Sequence, residues 1–166
     1  MKSSLQTRLL LWAETAQDLM VANPISINAN AVVQEAVAFL IDKGFSAAPV
    51  IDEAGKPIGV LSRTDILVHD RSKAGSHVPD YYSRADLSET VPPGFQVEHV
   101  DRTRVRDLMT PVVLSVSPRT AAAKVVSEML ALKVHRLFVV GAGGVLVGVI
   151  SALDILKHLR PEENFS

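Results

Sequence analysis

The sequence predicts an α+β protein built from two pseudosymmetric β-α-β-β-α repeats. The first observation is a repeated phrase. Residues 55–67 read Gly-Lys-Pro-Ile-Gly-Val-Leu-Ser-Arg-Thr-Asp-Ile-Leu and residues 144–156 read Gly-Val-Leu-Val-Gly-Val-Ile-Ser-Ala-Leu-Asp-Ile-Leu, so an apolar strand twice runs into Ser-x-x-Asp and a helix. The second is register: at a constant offset of 89 the two copies align without a gap from Asp18/Asp107 to Leu67/Leu156, with 13 identities in 50 positions. Chance identity would give about three. The third is size. Two copies of about 50 residues cannot each bury much alone, so they are expected to pair about a pseudo-twofold axis.

Taken in order, Leu5, Leu9, Trp12, Ala16 and Leu19 recur at helical spacing, which predicts an amphipathic leader helix over residues 1–17 and into the first repeat, with Trp12 as a packing anchor. Repeat one, residues 18–67, reads as a strand around Ile25 to Ile27, an Asn28 cap, and a helix from Val32 to Ile41 stopped by Gly44. Strands at Ala48 to Ile51 and Ile58 to Leu61 flank a hairpin turn in which Gly55 can take a positive φ, and a helix starts at Ser62. Repeat two, residues 105–160, keeps this order, with Ser117-Pro118 as cap and first-turn proline and Ala142-Gly143-Gly144 as the hairpin turn. Residues 68–104 read as a long irregular insert, compatible with a lid, a binding loop or disorder; Tyr81 and Tyr82 either pin it down or stack on something.

Composition excludes several function classes. The 166 residues are 48% hydrophobic, enough for a well-buried interior, and a formal charge of −1 offers no electrostatic footprint for nucleic acid or an anionic membrane. The run Arg102-Thr-Arg-Val-Arg106 is short and lies in a connector. There is no cysteine, so no disulfide, thiolate metal site or thiol nucleophile, which suits a reducing compartment. The N-terminal apolar patch ends at Glu14, too soon for a signal peptide or a membrane span, so the protein reads as cytoplasmic. His69, His77 and His99 lie near Asp70, Asp80 and Glu98, but their spacings match no metal-site pattern. No glycine-rich phosphate loop, nucleophile elbow or metal-ligand helix points to an enzyme, and no catalytic residue is assigned.

The Ser62-x-x-Asp65 and Ser151-x-x-Asp154 motifs carry two readings that hold together. The first is a helix N-terminus, in which serine and the third helical residue satisfy backbone donors reciprocally. In the second, a carboxylate fixed at a strand end accepts two hydrogen bonds from the vicinal hydroxyls of a ribose. The exposed-looking pair His135-Arg136 is likewise either a solvated strand start or a phosphate contact.

Asp-Leu-Met opening each repeat, Ser-Ala-Ala-Pro-Val-Ile-Asp (46–52) and His-Arg-Leu-Phe-Val-Val (135–140) in the second strands, and Gly-Val-hydrophobic-Ser-x-x-Asp-Ile-Leu in the third form one ordered pattern. It resembles a tandem pair of CBS domains, the regulatory module named after cystathionine beta-synthase. The resemblance covers residues 18–67 and 107–156. It implies repeats packed sheet to sheet, two clefts between them, and an adenine nucleotide (AMP, ADP or ATP) or other adenosyl ligand as effector, with no cofactor required. Carried over by position, the main cleft would place Asp154 on the ribose, with Ser151 and the backbone near Val149 alongside. Met20, Ile25, Phe45, Ser46 and Ala47 would form the base pocket, and His135 and Arg136 would meet phosphate. The second cleft would use Val60, Ser62, Asp65, Met109, Leu114 and Val134, but the positions matching His135 and Arg136 hold Ser46 and Ala47. The clefts are therefore expected to be unequal, the Asp65 cleft empty, weaker or suited to a less charged adenosyl compound. Arg63, near that helix start, either compensates or is merely exposed.

The leading functional expectation is a ligand-sensing module that acts on an unidentified effector protein and assembles as a homodimer of CBS pairs, the disc-shaped arrangement common in the family. The alternative is a non-catalytic dimerisation or assembly module with vestigial clefts.

Overall fold

A computed structural model describes residues 8–75 and 101–162. The elements run β1 (Leu9–Leu11), α1 (Ala16–Leu19), β2 (Val21–Ala22), β3 (Ile27–Asn28), α2 (Val33–Asp42), β4 (Ala47–Ile51), β5 (Pro57–Ser62) and α3 (Arg63–Gly75). After residue 100 come α4 (Val105–Leu108), β6 (Ser115–Val116), α5 (Ala122–Leu132), β7 (Arg136–Val140), a 3-10 turn (Ala142–Gly144), β8 (Leu146–Ser151), α6 (Ala152–Lys157) and β9 (Leu159–Pro161). Both hairpins form as expected: β4 and β5 turn through Gly55 at φ +77°, and β7 and β8 turn through Gly143 and Gly144 at +71° and +79°. Glycine alone takes these angles without a Cβ penalty. Helix α2 ends at Gly44 (φ +67°), whereas α5 ends at Lys133, held at φ +55° in the equivalent position.

The repeats exchange their leading segments. In the sheet ordered β2-β8-β7-β6 the edge strand β2 comes from repeat one and lies antiparallel to β8, Val21 opposite Val149. The sheet β3-β4-β5 is completed in the same place by Thr110 of repeat two, which exchanges backbone hydrogen bonds with Val60 at 2.9 and 3.0 Å. The cores follow the exchange. Ala16 and Leu19 are buried among Val125, Met129, Leu137, Val139 and Ile150, while Val105 is buried among Ile27, Leu40, Val50 and Leu61.

Several local expectations change. Leu9–Leu11 is a strand paired with Leu159–Pro161, and the leader helix shrinks to Ala16–Leu19; Leu5 lies outside the described residues. Backbone pairing at Leu9–Leu11 overrides helical spacing there. Trp12 does not anchor the core: it is 72% exposed. Asn28 caps no helix; its Oδ1 accepts from the Asn30 amide, and α2 starts only after Val32. Ser117 likewise sits in a turn closed by Thr120, four residues ahead of the Ala121 cap position of α5. In each repeat the residues before the helix serve as a docking edge: the Ala122 amide donates to Glu14 and the Val33 amide to Thr103. The expected insert begins as helix, since α3 continues to Gly75, and Asp101 ties back to it through His69 and Lys73. Tyr81, Tyr82, His77 and His99 lie outside the described residues. Among the described residues no helix is long and apolar enough to cross a membrane.

The exchanged segments run close over two glycines. A Cβ at Gly59 would lie 2.6 Å from the Thr110 carbonyl oxygen, and one at Gly148 would meet the Met20 side chain, with Cγ at 2.9 Å. A backbone atom cannot swing away and a methionine side chain can. Gly59→Ala is therefore expected to cost about 1–3 kcal/mol as an overpacked site, and Gly148→Ala less, measured by urea denaturation of both variants.

Candidate ligand-binding site

The faces of the two sheets not used by the cores meet across a cavity of about 550 Å³. Its walls come in symmetry-related pairs: Val21 and Thr110, Ile25 and Leu114, Phe45 and Val134, Ala47 and Arg136, Pro49 and Phe138, Val60 and Val149. The pseudo-twofold axis therefore passes through the cavity. Strand alternation dictates this lining, since Val134, Arg136 and Phe138 point one way while Leu137 and Val139 point into the core.

Ser151 and Asp154 break the symmetry, because they line the cavity and their counterparts Ser62 and Asp65 do not. Asp154 is the buried charged residue among those described, 8% exposed. Its Oδ2 accepts from the Ser151 hydroxyl at 2.6 Å and the Ser151 amide at 2.9 Å, and its Oδ1 accepts from Lys157 Nζ at 3.2 Å. Burial opposes its charge, but the Ser151 bonds and the Lys157 ammonium together outweigh burial and hold the carboxyl below its usual range. Arg136 stands directly opposite Ser151 in the β7–β8 register, so a guanidinium flanks the Ser-x-x-Asp turn. At the other end Ala47 stands opposite Ser62. The Asp65 carboxylate accepts from the Ser62 hydroxyl and amide at 2.7 and 2.8 Å, and Thr110 Oγ1 approaches its second oxygen at 3.4 Å.

The sequence profile of the CBS domain matches residues 16–71 and 105–161. The chain belongs to the CBS domain family. This CBS pair is 30% identical over 144 residues to the chloroplastic CBS domain-containing protein CBSX1 of Arabidopsis thaliana, covering 85% of this chain and 59% of CBSX1. It is 31% identical over 129 residues to the gamma-3 subunit of 5′-AMP-activated protein kinase of Bos taurus, covering 78% of this chain and 22% of that subunit. The chain thus spans between a fifth and three-fifths of the length of these relatives. Among solved structures it resembles CBSX2 in complex with AMP, with TM-score 0.63, 26% identity and 87% and 95% of the two chains covered. It also resembles the cytosolic domain of the Mg2+ channel MgtE in complex with ATP, with TM-score 0.61, 26% identity and 87% and 48% covered.

Of the residues expected in the main cleft, the CBS pair gathers Ile25, Phe45, Ala47, Arg136, Val149, Ser151 and Asp154 around one cavity, the first three from repeat one and the other four from repeat two. Met20, Ser46 and His135 stand off it. Met20 packs against Gly148 and the core, and Ser46 and His135 sit in the bends just before β4 and β7, outside the lining. Of the second set, Val60, Leu114 and Val134 line the same cavity, whereas Ser62 and Asp65 do not and Met109 packs over Gly59. Arg63 also stays off the wall and donates through Nε to the Phe45 carbonyl at 2.8 Å. Val21, Asn23, Pro24, Ala48, Pro49, Thr110, Val112 and Phe138 complete the lining without having been anticipated. Stepping two residues from Ala47 and Arg136 would have found Pro49 and Phe138. Asn23 holds a positive φ of 49°, a demand that its type permits but does not announce.

Because the folded-state pKa of Asp154 is depressed, its contribution to stability is full above the unfolded value of about 3.9 and is lost as pH falls below it toward the folded value. Asp154→Asn is expected to be less stable at pH 6 by about 1 kcal/mol, the gap closing below about pH 4. Denaturant midpoints of both proteins across that range test this.

Proposed function

We propose that this CBS pair is a regulatory module that binds one adenine nucleotide at the Asp154 end of the inter-repeat cavity and modulates a partner protein. The observation that carries the reading is the placement of a buried carboxylate and a guanidinium on one wall of a mostly apolar cavity. Asp154 would accept the ribose hydroxyls, Arg136 would pair with a phosphate, and Ile25 and Phe45 would hold the base. Two relatives of this chain are structures containing AMP and ATP, which supports the ligand class. The Asp65 end lacks a facing cation and is the weaker site. Nothing in this reading calls for a catalytic step, and a cysteine-free chain suits the reducing cytoplasm.

Calorimetric titration with AMP, ADP and ATP tests the assignment. Asp154→Ala and Arg136→Ala are each expected to weaken the best ligand about tenfold or more, with Asp65→Ala changing it little. Tight binding that survives Asp154→Ala and disappears in Asp65→Ala would reverse the assignment. At a hundred times its dissociation constant a ligand stabilises the folded state by about 2.7 kcal/mol, so no melting shift with any nucleotide would leave the assembly-module reading.

Assembly as a homodimer is supported by apolar side chains that the fold leaves uncovered on the two equivalent helices, Leu67 on α3 and Leu153 and Leu156 on α6. The protein is expected to elute as a dimer with light-scattering mass detection, and Leu67→Asp with Leu156→Asp to shift it to monomer.

A further inference from the structure

The carboxylates of the two Ser-x-x-Asp turns differ in what occupies their second oxygens. At Asp65 the occupant is Thr110, whose backbone is fixed by paired hydrogen bonds to Val60. At Asp154 the position equivalent to Thr110 is Val21, which has no hydroxyl, and the occupant is Lys157, reaching back from the last turn of α6. Its side chain is 63% exposed, and Val68 stands at the equivalent position in repeat one. An exposed ion pair on a flexible stem is weak and easily exchanged, whereas the Thr110 hydroxyl makes only a long contact at 3.4 Å, on a backbone that cannot leave the site.

We infer that Lys157 is a displaceable internal counter-ion that covers the ligand-accepting oxygen of Asp154 in the empty protein and must leave it before a ribose can be held. This inference rests on the nucleotide reading above. Lys157 then sets the nucleoside affinity of the Asp154 end, lowering it by the strength of one surface ion pair, while Thr110 stays beside the Asp65 carboxylate. The two sites differ in whether their occupant can move, in addition to the cation at Arg136.

An uncharged ligand exposes the effect. Adenosine has no electrostatic reason to bind more tightly as salt rises unless an ion pair within the protein must first be broken. Adenosine affinity is measured by calorimetric displacement of AMP at about 0.05 M and about 0.5 M NaCl, for the unaltered protein, Lys157→Met, Lys157→Arg and Asp154→Ala. The unaltered protein and Lys157→Arg are expected to bind adenosine more tightly at high salt. Lys157→Met should bind it about two- to fivefold more tightly than the unaltered protein at low salt, with that salt response gone. Equal or weaker adenosine binding by Lys157→Met, or the same salt response in all three, overturns the role of Lys157. If Asp154→Ala binds AMP as well as the unaltered protein does, or if no protein binds AMP, the nucleotide reading itself fails and this inference with it.

Discussion

The reciprocal exchange of short leading segments is the constraint on which the rest of the structure depends. The Ala16 amide donates to Thr120 and the Ala122 amide to Glu14; the Val105 amide donates to Ala31 and the Val33 amide to Thr103. These are the same bonds related by the offset of 89, and each crosses from one repeat to the other. They fix α1 over the core of repeat two and α4 over the core of repeat one, which brings β2 and Thr110 to the open sheet edges. Without the exchange neither sheet has its fourth edge member, and the cavity loses Val21 at one end and Thr110 at the other. The two glycines under these crossings follow from the same demand, since the strand and the methionine above them leave no room for a Cβ.

On this symmetric frame a few substitutions make the ends of the cavity unlike. Pro49 replaces the residue whose counterpart, Phe138, donates its amide to Leu114 at 2.9 Å. Proline has no amide hydrogen, so the matching bond to the Ile25 segment does not form. The β3–β4 ladder starts later, at Ile27 opposite Val50, while β6–β7 starts at Ser115 opposite Phe138. Ile25 is left 47% exposed beside Phe45. One missing donor thus loosens the wall facing Asp154. Arg136 for Ala47 and Val21 for Thr110 act in the same direction, adding a cation and removing a hydroxyl at that end.

The gapless repeat made the order of strands and helices readable, because strand alternation, glycine turns and Ser-x-x-Asp all recur at one offset and local chemistry agrees with the tertiary result. Most of the apolar wall and both halves of the Ser151–Asp154 turn were legible for the same reason. What stayed hidden lies where long-range backbone pairing takes over. Leu9–Leu11 keeps helical spacing yet pairs with residues 150 positions away. Asn28 and Ser117 are good capping types, but the chain between each of them and its helix is occupied by the exchanged segment. His135 and Ser46 lie one residue before β7 and β4, in bends whose direction the strand alternation of their neighbours does not specify. Met20 and Met109 open each repeat in the expected place and are consumed by packing over Gly148 and Gly59.

The exchange also limits how this fold can answer a ligand. Hinged opening that parted the repeats would pull Leu19 and Val105 out of the opposite cores, where both are almost wholly buried. Burial of side chains of this size is worth about 1.5–3 kcal/mol each, and the cross-repeat backbone bonds would be broken as well. Under the proposed function, a ligand held by Asp154, Arg136 and the Ile25 wall would act only through its differential affinity for two arrangements, and such an amount is better matched to a small reorientation of the sheets about the pseudo-twofold axis. The parts best placed to follow such a reorientation lie at the margin of the repeat-two core, where Leu11 and Ile155 are only partly buried: the short helix α6, the Lys157 side chain and the β1–β9 ribbon. The ribbon joins α6 through His158, whose carbonyl accepts from the Trp12 amide at 2.8 Å while its ring meets the Asp154 carbonyl at 2.8 Å. Deep burial at the crossings and partial burial at these edges are two consequences of one topology.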